Sequence, residues 1–168
     1  MTATSTPSAT AARGIDPRGP RFTAGVVAIL FLVVIGLALV GLTNLAAAAA
    51  SLGLSIFNAA VFLWAAIRGV QHHPYGFFFK KVIRPRLQPP VELEDPIPPT
   101  FAQGVGLFVT VLGIAFFFVV GPIALVVAGA AAFVAAFLNS VFAYCLGCQI
   151  YLLLARAGVL GRKRPAAA

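Results

Sequence analysis

Two long stretches of this chain carry no charge, and nothing else limits its fold as strongly. No Asp, Glu, Lys or Arg occurs from Phe22 to Ile67, a run of 46 residues, or from Pro96 to Ala155, a run of 60. A helix needs about 20 apolar residues to cross the hydrocarbon core of a bilayer. Each run therefore has room for two crossings. Hydrophobic residues make up 61% of the chain and charged residues 10%, against about 25% charged in a soluble domain. Too few polar side chains remain to cover a water-exposed globule. The expected fold is all-α: a polytopic membrane protein with four transmembrane helices as two hairpins.

The expected spans are about 22–42, 45–67, 101–120 and 123–155, with a loop at 68–100. Thr43-Asn44 and Gly121-Pro122 mark the outer turns, the second a strong helix break. Residues 1–14 read as a disordered polar tail, 15–155 as the membrane domain and 156–168 as a basic tail. No apolar stretch precedes Phe22, so a cleaved signal peptide is not expected. The fourth span is too long. As one helix, 123–155 would measure about 50 Å against a core of about 30 Å, and the excess must become tilt, a kink or a protruding end. Ala128, Ala132 and Ala136 place a small-residue strip on it, suited to close packing.

All 12 Lys and Arg residues fall in three segments. Arg13, Arg18 and Arg21 precede the first span. Arg68, Lys80, Lys81, Arg84 and Arg86 occupy the central loop. Arg156, Arg162, Lys163 and Arg164 follow the last span. Four crossings put these segments on one side of the membrane, and the positive-inside rule makes it the cytoplasm. Both termini are then cytoplasmic in a multi-pass protein of the cell membrane. This placement accounts for the net charge of +8 without nucleic acid. The lipid bilayer is the expected partner. Phe77-Phe78-Phe79 followed by Lys80-Lys81 suits the head-group boundary, with Arg84 and Arg86 beyond it. Six prolines from Pro85 to Pro99 stiffen the rest of the loop and exclude a through-running helix. Glu92, Glu94 and Asp95 could pair with the basic half across a folded loop; a solvated connector is the plainer alternative.

Chemistry is suggested by Cys145-Leu146-Gly147-Cys148, which holds the only two cysteines. Cys-x-x-Cys serves as a thiol–disulfide couple or as half a metal site. Two inert packing residues are the bland alternative. A cytoplasmic setting argues against a static structural disulfide. On an unbroken helix Cys148 lies about 12 Å and Cys145 about 16 Å before Arg156, submerged in the inner leaflet. Cys148, nearer water, is then the attacking thiol and Cys145 the resolving one. No charged residue neighbours the pair in sequence. Asn58 and Asn139 are polar side chains at membrane depth, which serve as interhelical glue or line a solute path. An unbroken helix places Asn139 about 180° from Cys148, so a shared pocket is not expected. The hydroxyls of Tyr144 and Tyr151 could meet a thiolate or ligand, or sit at the interface as ordinary aromatics. His72-His73 beside Pro74 lacks a standard zinc spacing, and no metal or other cofactor is expected. Spans free of Asp, Glu, Lys and Arg disfavour a proton-driven pump.

Several motifs carry a family resemblance. Asp16-Pro17-Arg18-Gly19-Pro20-Arg21-Phe22, His73-Pro74-Tyr75-Gly76 with Arg84-Pro85-Arg86, and Glu92-Leu93-Glu94-Asp95-Pro96 with Phe101-Ala102-Gln103 are three of them. Leu138-Asn139 and Cys145-Leu146-Gly147-Cys148 with Tyr151 complete the set. Together they resemble the domain-of-unknown-function family numbered 4395, small bacterial membrane proteins, over about Ile15 to Leu154. The resemblance implies a four-helix membrane protein without an established activity, whose relatives accompany thioredoxin-like or sulfurtransferase proteins. It also implies a folded central loop, in which Asp16, Arg18 and Arg21 could meet Glu92, Glu94 and Asp95. The leading reading is a thiol-redox or sulfur-handling membrane component using Cys145 and Cys148 near the cytoplasmic side. The alternatives are a scaffold docking through its basic loop and a small-solute permeation protein.

Overall fold

The computed structural model describes residues 14–159. Most of the expected polar N-terminal tail and of the basic C-terminal tail lies outside these residues. Among them are six α-helices and no strands: α1 (Arg18–Val40), α2 (Leu45–Arg68), α3 (Pro74–Phe78), α4 (Ile97–Val120), α5 (Ile123–Phe142) and α6 (Leu146–Arg156). Helices α1, α2, α4 and α5 have 20–24 residues and are long and apolar enough to cross a membrane. At 1.5 Å per residue they measure about 30–36 Å.

The ends of the helices follow local chemistry. Asn44 caps α2, its Oδ1 accepting from Ala47 N at 3.2 Å. Helix α4 begins four residues earlier than expected because Pro98 and Pro99 sit in its first turn, where proline is tolerated. Asp95 Oδ1 accepts from Ile97 N at 2.9 Å there.

The four long helices form a ring. Helix α1 packs on α5 and α2, and α4 on α2, α5 and α6. Val27, Phe31, Val34 and Ala38 of α1 meet Phe62 of α2 and Leu125 and Ala132 of α5 in the core. The small-residue strip serves close packing: Gly113 of α4 lies against Ala128 with no room for a side chain. Buried polar groups on α2 are satisfied within the helix, as lipid requires. Ser51, Ser55 and Asn58 donate to the carbonyls of Ala48, Ser51 and Leu54 at 2.8–2.9 Å. Outward positions are apolar, including Phe108, Phe118 and Val119. Such surface would aggregate in water and suits lipid.

The central loop is folded against the start of α1. Ile15 and Glu94 exchange both backbone hydrogen bonds at 2.9 Å. The buried Asp16 carboxylate accepts from Arg18 N, Nε and Nη2 at 2.9–3.0 Å, and Arg84 Nε lies 3.8 Å away. Arg18 Nη2 also donates to Gln88 O at 2.9 Å. The loop is therefore tied down, but not as the sequence suggested. Among the described residues Glu92, Glu94 and Asp95 form no ion pair. Backbone pairing and Asp16 hold the segments together instead. The three phenylalanines also divide: Phe77 and Phe78 are exposed, while Phe79 is buried against Gly19 and Phe22 of α1.

Candidate functional site

The expected single helix over 123–155 is two helices. Helix α5 stops at Phe142 because Ala143 takes a left-handed conformation, φ 57°. Tyr144 N then reaches back six residues to Leu138 O at 3.2 Å, closing the end of the helix. Glycine usually fills that left-handed position, and Ala143 carries no such stop signal. Helix α6 restarts at Leu146, and its 11 residues span about 16 Å, too short to cross.

Cys145 is the N-cap of α6, with extended backbone and Sγ accepting from Cys148 N at 3.2 Å. The two sulfurs are joined in a disulfide across a Cα–Cα distance of 5.2 Å. The compartment argument expected no lasting bond here. Both cysteines are half-buried. Gly147 lets α6 lie directly on α4: a Cβ there would sit 2.7 Å from Ala102 Cα.

The break changes what the cysteines face. Asn139, Cys145 and Cys148 line one cavity of about 280 Å³, together with Arg21, Glu94 and Asp95. The expected half-turn separation of Asn139 from Cys148 fails because it assumed an unbroken helix. The expectation of a pair remote from charge holds along the chain but not in space. A second cavity, of about 220 Å³, lies among α1, α2, α4, α5 and α6. It is mainly apolar, with Thr23, Gln103, Asn139 and Cys145 among its walls. Cys145 and Asn139 line both cavities; Cys148 lines only the charged one.

The other candidate residues lie elsewhere. Asn58 is buried, bonded to its own helix, and lines neither cavity. Tyr144 is exposed, and Tyr151 packs on Phe101 with ring centroids 5.6 Å apart. Lys80, Lys81, Arg84 and Arg86 form an exposed basic stretch of the loop. Lys80 Nζ donates to Gln71 O at 2.8 Å, and Lys81 Nζ lies 4.6 Å from the Phe77 ring centroid. His73 is fully buried at the start of α3, where Nδ1 accepts from Tyr75 N at 3.3 Å and Nε2 has no partner among the described residues. Burial pushes its imidazole down to about 4. No three His, Cys, Asp or Glu side chains gather as a metal set among the described residues.

Sequence reasoning gave Arg21, Thr23 and Gln103 no place at the site. Gln103 was visible as a polar side chain at membrane depth, the same signal that singled out Asn58 and Asn139.

Four apolar helices around one core, with a Cys-x-x-Cys disulfide at the end where the loop folds back, define a small multi-pass membrane protein. The chain belongs to the family described as Domain of unknown function (DUF4395), whose model matches residues 15–156. No curated protein and no solved structure matches it.

Proposed function

We propose that the protein exchanges electrons, as thiol and disulfide, with a soluble partner on the cytoplasmic side of the cell membrane. The observation that carries this reading is the Cys145–Cys148 disulfide at the wall of a charged cavity, with Cys145 as the cap of α6. The placement of basic residues supports the cytoplasmic side for the loop and both termini. A thioredoxin-like or sulfurtransferase protein is the class of partner the family resemblance suggests.

The step balances as ordinary thiol–disulfide exchange. A partner thiolate enters the charged cavity and attacks Cys148 Sγ. The Cys145–Cys148 bond breaks, and Cys145 leaves as a thiolate. The Cys148 amide already donates to that sulfur, and a helix N-terminus favours negative charge. The partner's second thiol then attacks its own sulfur in the mixed disulfide and frees Cys148. The partner loses two electrons and two protons as its disulfide forms, and the chain gains them as a dithiol. Run in reverse, Cys148 is the attacking thiol and Cys145 resolves.

The test is to trap the mixed disulfide. A Cys145→Ser variant retains Cys148 without its resolving partner. With a thioredoxin variant that keeps only its attacking cysteine, activated as its thionitrobenzoate disulfide, it should accumulate a mixed disulfide that reductant releases, because neither protein then has a second thiol to resolve it. The reading fails if none forms, or if a Cys145→Ser/Cys148→Ser variant gives the same product.

A scaffold role has its own support in the exposed Lys80–Arg86 stretch beside exposed Phe77 and Phe78. It predicts that changing Cys145 and Cys148 leaves function intact while neutralising the loop abolishes it. Permeation lacks comparable support, since Asn58 and Asn139 share no cavity.

A further inference from the structure

The chain has two cysteines, so one disulfide is its whole thiol store. Turnover of the exchange above needs a second reactant to restore the disulfide, and no other thiol pair of the chain can do so. The apolar cavity provides a place for one. Cys145 stands in its wall and in the wall of the charged cavity, so the same sulfur is presented to two different environments.

The cavity walls describe the occupant. They are mostly Ala, Val, Gly and Phe side chains from membrane-spanning helices, including Val27, Phe62, Val109 and Ala135. An occupant must therefore dissolve in the bilayer. Its volume of about 220 Å³ is below the roughly 300–1,000 Å³ of drug-sized ligand sites and fits a ring-sized group. Gln103 Oε1 is buried without a hydrogen-bond partner among the described residues. Asn139 and Thr23 add polar groups to the same walls. A lipid acyl chain would leave Gln103 Oε1 unanswered, at the usual penalty for a buried polar group. A ring that alternates between carbonyls and hydroxyls would donate to Gln103 Oε1 when reduced and accept from amide or hydroxyl donors of the same walls when oxidised.

We propose that this cavity binds the ring of a lipophilic quinone, which reoxidises the Cys145–Cys148 dithiol. The inference rests on the thiol-exchange reading. The Cys145 thiolate adds to a ring carbon. Cys148, giving up its proton, attacks Cys145 Sγ; the S–S bond forms, the C–S bond breaks, and the electron pair returns to the ring. Two electrons and two protons pass from the thiols to the quinone, whose carbonyls become hydroxyls. One of those hydroxyls donates to Gln103 Oε1.

The experiment uses the full chain reconstituted in liposomes and reduced with dithiothreitol, which is then removed. A decyl-substituted benzoquinone is added. Quinone absorbance and the number of maleimide-reactive thiols are followed together. The expected result is one quinone reduced and one disulfide re-formed per chain. Gln103→Leu and Ala135→Leu should slow this at least about tenfold, the scale of one lost hydrogen bond or a filled cavity. Their disulfide exchange with dithiothreitol should be unchanged, which also shows that they fold. The proposal is overturned if dithiothreitol exchanges normally but the quinone leaves the thiols reduced, or if it oxidises wild type and both variants at one rate. Failure of the wild-type disulfide to exchange with dithiothreitol would overturn the thiol-exchange reading and this proposal together.

Discussion

Cys145 caps the helix that contains Cys148: the Cys148 amide donates to Cys145 Sγ at 3.2 Å, while the sulfurs themselves are bonded. The cap and the covalent bond involve the same two residues. Breaking the disulfide therefore leaves Cys145 sulfur with a donor already in place.

The position of α6 depends on Gly147. A methyl group there would collide with Ala102 of α4. Gly147→Ala should lower stability by about 1–3 kcal/mol, the usual range for overpacking. It should also alter the exchange rate of the disulfide, because α6 must lift from α4. Thermal unfolding in detergent and dithiothreitol exchange measure the two effects.

Asp16 ties the start of α1 to the loop. Burial works to raise its carboxyl, but the Arg18 hydrogen bonds and the charges of Arg18 and Arg84 outweigh it and hold the group below its ordinary 3.8. A lowered carboxylate contributes stability above its unfolded value and loses it as pH falls through the folded one. Asp16→Asn should cost about 1.5–3 kcal/mol at neutral pH, the range for hydrogen bonds to charged groups. The difference from wild type should shrink below about pH 4. Melting temperatures across pH test this.

His73 contributes in a separate pH window. Its folded value of about 4 lies below the ordinary 6.5. The unfolded chain takes the proton first, so stability is full above about pH 6.5 and falls as pH drops towards 4. The loss should reach about 3 kcal/mol in order of magnitude. His73→Asn keeps a capping side chain but cannot titrate in this range. It should flatten the melting temperature between pH 6.5 and 4.

Glu94 meets Ile15 through its backbone, and its side chain is exposed. Glu94→Lys should leave the melting temperature almost unchanged, within about 0.5 kcal/mol. Glu94 is among the residues lining the charged cavity, so the same change should alter exchange with a charged soluble dithiol. Glu94→Pro, which removes the N–H donated to Ile15, should lower stability.

Much of this arrangement was legible in residue order. The uncharged runs located four long apolar helices, and the excess length after Ile123 called for tilt, a kink or a protruding end. What could not be read was where the excess would resolve. Ala143 is an ordinary helix former, and its left-handed turn depends on tertiary packing: Gly147 seated on Ala102 and α6 laid across α4. The changed placement of Cys145 and Cys148 relative to Asn139 follows from that one residue. The turn brings Asn139 beside Cys148 and both beside Arg21, Glu94 and Asp95. The loop was legible in its opposite charges but not in its pairing, because Ile15 and Glu94 meet through backbone groups that carry no side-chain signature.

The most direct test of thiol exchange is labelling of Cys145 and Cys148 in intact membrane vesicles. Samples are treated with oxidant or with reductant and then with a maleimide that adds mass to each free thiol. A redox-active pair predicts two labels after reduction and none after oxidation, with Cys145→Ser and Cys148→Ser each carrying one label in both conditions. No label in either condition, or equal labelling of the wild type in both, would contradict it.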